Sequence, residues 1–333
     1  MPRKRDAGVN SRIPEISIFL LICVFLLLPI WLGSYYLHFF IMMFLWAYLS
    51  QSWNIVGGLC GQLSLGHAAF FGTGAYTSSL LFVHFGINPW LGMFLGGFVA
   101  FSAALFIGYL SFRYGLKGPY FALVTIAFAE LSRVVVLSVE FTSGPMGVLI
   151  PLQELGLCSF QFKGKAAYYY IIFAFTLMIV VVARFLKRSR VGYYLSAIRE
   201  NEDAAEGIGV NTLWFKVMSL SISAFFTALG GSFYAQYLLY ITPEETFGWH
   251  VSVEMILRSL VGGIGTILGP VLGSVILSLV GEITRVVFGE LAQGVHVIIY
   301  ATILILIVLF FPKGMVVWIN ERGLGRKSYP RGY

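Results

Sequence analysis

From Ile16 to Phe112 the chain contains no Asp, Glu, Lys or Arg. Charge is scarce overall: 11% of the 333 residues are charged and 58% are hydrophobic. Soluble domains carry about a quarter charged residues, and long uncharged apolar runs mark membrane helices. A soluble fold is excluded, and the chain reads as an all-α polytopic membrane protein. Cysteine is scarce too. Cys23, Cys60 and Cys158 show no CxxC spacing, so neither a disulfide framework nor a metal site is expected, and they read as packing residues. No G-x-x-x-x-G-K-[ST] loop occurs, since Gly164-Lys165 is followed by Ala166. H-E-x-x-H, G-x-S-x-G and a G-x-G-x-x-G in a strand–helix setting are missing as well. The chain is therefore expected to be no enzyme, with no catalytic residue, metal or cofactor of its own.

A helix needs ~20 apolar residues to cross the hydrocarbon core. Ten spans are predicted, at 16–33, 38–57, 62–84, 88–112, 119–139, 166–186, 214–240, 251–262, 268–288 and 293–311. The eighth is too short to cross at full thickness and is expected to be a broken helix, which protein or a water-filled cavity must surround. The net charge of +7 reads as a topology signal rather than an affinity for nucleic acid. Lys and Arg concentrate in the tail before the first span, the 113–118 loop, residues 184–216 and the tail after the last span. These segments hold seventeen of the 22 basic residues. They share one side of the membrane only if the number of spans is even, so both termini are expected in the cytoplasm. The run from Ile16 to Leu32 resembles a signal peptide, but it is about a full span long and no A-x-A-like site follows, so it is expected to stay as the first helix.

Glycine is abundant, with 37 residues. Gly265, Gly269 and Gly273 repeat every four residues and are expected on one helix face, where small residues let backbones approach closely. An internal echo links Gly57-Gly58-Leu59-Cys60-Gly61, before Leu65-Gly66, with Gly262-Gly263-Ile264-Gly265, before Leu268-Gly269. Gly-interrupted repeats point to a transport pathway. Both turns fall on the cytoplasmic side, which does not suit a simple inverted repeat.

Two opposite-charge pairs lie inside spans: Glu130 with Arg133, and Glu254 with Arg258. Their spacings of three and four put each pair on one helix face. Intramembrane ions are functional candidates, although a pair that neutralises itself and fixes packing is the plainer reading. A proton relay would more naturally show unpaired carboxylates. The stretch Ser64 to Tyr76 is rich in glycine and small polar residues, and Ser64, His67, Thr73 and Tyr76 offer hydrogen bonds toward a cavity. A lone histidine is more often a packing residue than a ligand.

Residues 184–216 stand apart, with ten charged residues. A short helix is expected over Arg199-Glu200-Asn201-Glu202-Asp203-Ala204-Ala205-Glu206, interrupted or ended at Gly207 and Gly209. Asn211-Thr212 are expected to cap the next span. Such a segment needs water, and its Ala204-Ala205 face is small enough to enter a partner's groove. The plainer alternative is a solvated loop against headgroups.

These residues resemble the permease subunit of ABC importers for branched-chain amino acids, LivM type, from about Trp53 to Gly314. Gly61–Gly72, Ala197–Gly209 and Gly262–Pro270 carry the resemblance, supported by Gly144-Pro145-Met146-Gly147 and Phe311-Pro312-Lys313-Gly314. Asp203-Ala204-Ala205, followed by three residues and Gly209, is similar to the E-A-A-x-x-x-G coupling signature, with Asp in place of Glu. The resemblance implies an ABC importer permease fold, with tails at 1–15 and 313–333 and a transmembrane domain at 16–312 that carries a coupling loop at 187–213. It implies that Arg199, Glu200, Asn201, Glu202, Asp203, Ala204, Ala205 and Gly209 dock on an ATPase. Ser64, Gly66, His67, Thr73, Tyr76, Gly262, Gly263, Gly265 and Gly269 are then the candidates for the translocation pathway. The implied partners are a LivH-type permease, two ATPase subunits that bind ATP and Mg, a substrate-binding protein and the bilayer of a bacterial inner membrane. A urea, amide or aromatic amino-acid permease shares the same motifs. An ion-coupled carrier, needing no ATPase, is the reading from another class.

Overall fold

The computed structural model describes residues 24–152, 156, 159–288, 295–311 and 314–318. The expected tail at 1–15, the start of the first span, Cys23, Cys158, Pro312-Lys313 and residues 319–333 lie outside the described residues. Helices make up nearly all of the rest: α1 (24–31), α2 (Ser34–Asn54), α3 (His67–Phe85), α4 (Pro89–Arg113), α5 (Pro119–Ser138), α6 (Lys165–Arg188), α7 (Arg190–Glu200), α8 (Glu202–Gly207), α9 (Thr212–Leu238), α10 (Pro243–Phe247), α11 (Trp249–Gly262), α12 (Gly269–Phe288) and α13 (Val295–Phe310). One two-residue ribbon interrupts them. In it β1 (Val148–Leu149) pairs antiparallel with β2 (Tyr240–Ile241), Val148 opposite Ile241.

Helix ends follow local chemistry. Gly86 ends α3 at φ 64°, where a side chain would be strained. Asn88 then caps α4 through the Trp90 amide, with Pro89 as the first helical residue. Pro119 opens α5 after the positive-φ Gly118. A helix occurs in each of the ten predicted spans. Among the described residues six are long and apolar enough to cross a membrane: Ser34–Leu59, Pro89–Arg113, Pro119–Ser138, Lys165–Arg188, Thr212–Leu238 and Gly269–Phe288. The polytopic all-α reading holds, while length and composition do not by themselves establish ten spans. The short eighth segment is a 14-residue helix, α11, set off from α10 by the non-helical Gly248. At 1.5 Å per residue it reaches only about 21 Å.

The turns gather at two ends. The 55–66 stretch, the 113–118 loop, α7–α8 and the 263–268 turn meet at one end, through Arg199–Gly58, Lys117–Asp203 and Lys187–Gly265. Contacts of His38 with Tyr237, Lys165 with Ser34 and β1 with β2 mark the other. Between the ends, α3, α4 and α9 pack at backbone distance. A Cβ on Gly74 would overlap the Ala228 carbonyl, and one on Gly231 the Phe71 carbonyl. Aromatic side chains fill the gap between α2 and α6, with Phe44 edge-on to Tyr169 and Phe173.

The α11–α12 hairpin shows what the spaced glycines do. Gly269 and Gly273 lie in α12 against Gly262, Gly263 and the Arg258 carbonyl. Gly265 departs from the expected face, because it belongs to the turn before the helix and has φ 77°. Its neighbours are Arg199 and Gly58. A leucine at position 269 has no room in the hairpin. Gly269→Leu is expected to destabilise the bundle by at least about 2 kcal/mol. Thermal unfolding in detergent checks this, and an unchanged midpoint would contradict the packing described.

Candidate functional site

The charged segment forms two helices where one was expected. Asn201 takes an extended conformation (φ −159°, ψ 110°), and its Oδ1 accepts the Ala204 amide, which stops α7 and starts α8. At the far end the Gly209 amide donates to the Glu206 carbonyl and the Val210 amide to the Ala205 carbonyl. Gly209, at φ 87°, supplies the left-handed residue that this closure requires. Asn211 caps α9 through the Trp214 amide, as the sequence predicts.

One face of this pair is buried and the other is free. Ala205, with Leu195 and Ile198, packs on Leu59 and Cys60. The expected Ala204-Ala205 docking face is therefore split, with Ala205 turned inward and Ala204 exposed. Exposed beside Ala204 are Asp203, Glu206, Gly207 and Ile208, the last at 78%. Arg199 and Glu200 close α7, and both are exposed.

The acidic residues are fixed from behind. Glu202 pairs with Lys216 at 2.5 Å, and the Lys216 ammonium lies 4.7 Å from the centre of the Phe112 ring. Lys117 bridges Asp203 at 3.0 Å and Glu202 at 3.8 Å. The Asp203 carboxylate beside it raises the Lys117 pKa. Thr212 donates to Glu206. The side chains of Lys216 and Glu202 are 3% and 15% exposed, so losing Glu202 strands Lys216, whereas Glu202 without Lys216 still has Lys117. Glu202→Ala is expected to cost about 3 kcal/mol, and Lys216→Met much less, because the second change removes the buried charge itself. Chemical denaturation of the two variants separates these outcomes.

The residues predicted to form a pathway mostly satisfy one another. Ser223 Oγ donates to the Ser52 carbonyl at 2.7 Å, so it accepts from His67 Nε2 at 2.8 Å. His67 Nδ1 is then free to accept from Ser64 Oγ at 3.1 Å. Thr73 donates to the Ala69 carbonyl of its own helix. Gly66, the N-cap of α3, abuts the Thr125 carbonyl. Tyr76 differs: its buried hydroxyl has no partner among the described residues. Gly262, Gly263, Gly265 and Gly269 sit in the α11–α12 hairpin.

Both expected intramembrane pairs form. Arg133 Nε meets Glu130 at 2.8 Å, and its Nη1 reaches Glu244 of α10 at 2.7 Å. Arg258 meets Glu254 at 3.0 Å, donates to Ser278 Oγ at 2.8 Å and lies over the Trp46 ring. Arg258 is buried and occupied on every side. Arg133 and Glu130 are partly exposed, at 23% and 39%. Two cavities occur. One, of about 330 Å³, is lined by Trp46, Glu254, Arg258, Glu282 and Tyr300. The other, of about 310 Å³, is lined by His38, Lys163, Lys165, Tyr168 and Tyr237. Neither includes a residue of the predicted pathway. No His, Cys, Asp and Glu cluster among the described residues could hold a metal ion.

A family model described as "Branched-chain amino acid transport system / permease component" matches residues 35–311. The chain belongs to that family. It is 29% identical over 289 residues to the high-affinity branched-chain amino acid transport system permease protein LivM of Salmonella typhimurium, which covers 79% of this chain and 65% of that protein. LivM of Escherichia coli is 28% identical over the same shares. The chain thus spans about 65% of the length of the LivM proteins it matches. LivH of Salmonella typhimurium is 23% identical over 288 residues, which covers 81% of this chain and 91% of LivH. No solved structure matches.

Several residues around this site escape sequence reading. Asn54, Lys117, Lys187 and Glu244 carry no motif, and each acts through a partner at least 78 residues away. A basic residue in the 113–118 loop opposite the acidic start of α8 was the one available signal. Cys60 proves to be a packing residue: it is fully buried, and burial pushes its thiol up to about 11. In a variant with Cys23 and Cys158 changed to serine, maleimide is expected to leave Cys60 unmodified at pH 7 and pH 9 and to label it after unfolding. Labelling of the folded protein would show the site to be open.

Proposed function

We propose that the chain is the membrane-spanning permease subunit of an ATP-driven ABC importer for branched-chain amino acids. The exposed face of α8 carries this reading. Asp203, Ala204, Glu206 and Ile208 face outward while Ala205 anchors the helix to the bundle, in a chain that lacks an ATP-binding loop of its own. A rigidly backed surface of acid and small residues suits docking on a separate ATPase that binds ATP and Mg. The similarity to LivM and LivH supports a second, LivH-type permease as partner, and a substrate-binding protein would deliver the amino acid.

The gathering of basic segments at the α7–α8 end supports ten spans with both termini on the cytoplasmic side of a bacterial inner membrane. Gly314, after the last span, packs on Gly263 at that same end. Of the candidate pathway residues, Tyr76 is the one we assign to substrate contact, because its hydroxyl is buried and free. Its ring lies 5.6 Å from that of Phe247, in the same short helix as Glu244. Ser64, His67 and the hairpin glycines shape the walls. The half-exposed Glu130–Arg133–Glu244 group needs water or protein beside it rather than lipid, which supports a passage along α5 and α10.

Asp203→Arg reverses the charge of the docking face without touching a span. It is expected to leave membrane insertion intact and to lower ATP-dependent uptake of leucine by at least about tenfold, the size of effect expected when a like charge opposes a partner across an interface. Uptake in proteoliposomes that contain the co-encoded subunits measures this. Normal uptake, or uptake by the chain without an ATPase, would sink the reading.

A further inference from the structure

The two echoing glycine turns meet in space, and the charged segment holds both. The end of α2 rewinds into a π-helical turn, Ile55–Leu59, before the chain reverses. A Cβ on Gly58 would overlap the Asn54 amide, so glycine there lets Asn54 reach across to the other turn. Asn54 Oδ1 accepts the Gly265 amide at 2.8 Å, and its Nδ2 donates to the Thr266 carbonyl at 2.9 Å. One carboxamide thus pairs with two main-chain groups of the α11–α12 turn.

Two cations tie this contact to the segment beyond. Arg199, at the end of α7, donates from Nη1 to the Gly58 carbonyl at 2.7 Å, and its stem lies over Gly61. Lys187, at the end of α6, donates from Nζ to the Gly265 carbonyl at 2.6 Å. Arg199, expected on the ATPase-docking face, is exposed, and its guanidinium turns back to the Gly58 carbonyl. Where the turns touch, Gly58 faces Gly265, flanked by the Asn54 carboxamide and the Arg199 guanidinium. The contact is held by hydrogen bonds to main-chain atoms, which are either made or lost, and not by a hydrophobic overlap that slides.

We propose that Asn54, Arg199 and Lys187 are positioning residues that couple the two glycine turns to each other and to α7–α8, so that both turns move as one body when α7–α8 is displaced. This rests on the reading of α7–α8 as the segment that meets the ATPase. It assigns the internal echo a role: two similar turns, one from each half of the chain, close the same end of the bundle under one control. Arg199 is the link to α7, Lys187 the link to α6, and Asn54 the bridge between the turns.

The coupling can be read on the full chain in lipid nanodiscs, without transport, by amide hydrogen exchange. Arg199 hydrogen-bonds Gly58 of the first turn, and its guanidinium also lies against Gly265 of the second, so the Asn54→Ala background separates coupling through Asn54 from direct contact. Under the proposal, Arg199→Gln raises exchange about tenfold or more both in the 55–61 peptide and in the 263–268 peptide, the size expected on losing a charge-assisted hydrogen bond. Arg199→Lys, which keeps a donor for Gly58, restores the wild-type pattern. Asn54→Ala is expected to confine the effect of Arg199→Gln to the first turn. If Arg199→Gln alone changes only the 55–61 peptide, or if it still changes the 263–268 peptide in the Asn54→Ala background, the turns are not coupled through Asn54 and the proposal is overturned.

The consequence for transport is read in the complete importer. Arg199→Gln is expected to keep the ATPase bound through size-exclusion chromatography while lowering leucine transported per ATP hydrolysed by about tenfold, in proportion to the lost coupling. An unchanged ratio overturns the proposal, as does loss of the ATPase from the complex, which would return Arg199 to the docking surface. A wild-type chain that binds no ATPase would instead overturn the proposed function, leaving the exchange result to stand or fall alone.

Discussion

Helices inside a bilayer gain nothing by hiding apolar surface from each other, because the lipid is as apolar as leucine. What holds this bundle is how closely its backbones approach. Where α3 meets α9, Gly74 lies against Ala228 and Gly231 against Phe71. Where α11 meets α12, Gly262, Gly269 and Gly273 let the two backbones touch. At such distances hydroxyls can bond across helices, and Ser232 reaches the Gly74 carbonyl at 2.9 Å. Most of the described glycines thus serve close contact, while ten of them use the freedom of positive φ.

Close packing leaves few places for charge, and each charge has a defined one. Arg258 is enclosed by Glu254, Ser278 and Trp46. Lys216 is buried between Glu202 and the Phe112 ring. At the α7–α8 end, Arg199 and Lys187 bond carbonyls that a turn leaves without a helical partner. Cations are favoured there, because the C-terminal ends of helices carry partial negative charge. Electrostatics in this chain ties loops to helix ends and does little to join one span to another.

Much of this was legible in the sequence. Uncharged runs bounded by glycine and proline place the helices, since a bilayer tolerates hardly any other backbone. The spacings of Glu130–Arg133 and Glu254–Arg258 give their pairing, because both partners share one helix. Asn211 and Gly209 reveal their capping roles by type and position. The break at Asn201 was missed, since its neighbours favour helix and only the side-chain cap overrides them. The inward turn of Ala205 and the bond from Arg199 to the Gly58 carbonyl escape the sequence for another reason. A motif identifies which residues act together, but tertiary contacts decide which side of the helix faces the fold. Asn54, Lys187 and Glu244 were out of reach because a lone polar residue says nothing of a partner far along the chain.

The brevity of α11 has a consequence for the membrane itself. A helix of about 21 Å set in a hydrocarbon core of ~30 Å leaves roughly 9 Å of depth without helix. That depth falls at the end where Gly248 breaks the chain and where Glu244, Glu245 and His250 are all exposed. Acyl chains cannot fill a gap lined by carboxylates. On the ten-span reading the bilayer dimples there or water stands in the gap, and Arg133 of α5 reaches Glu244 at its edge. On the same reading, the chain has a hydrated notch on the side away from α7–α8, and the distance over which a polar solute must leave water shrinks by about a third.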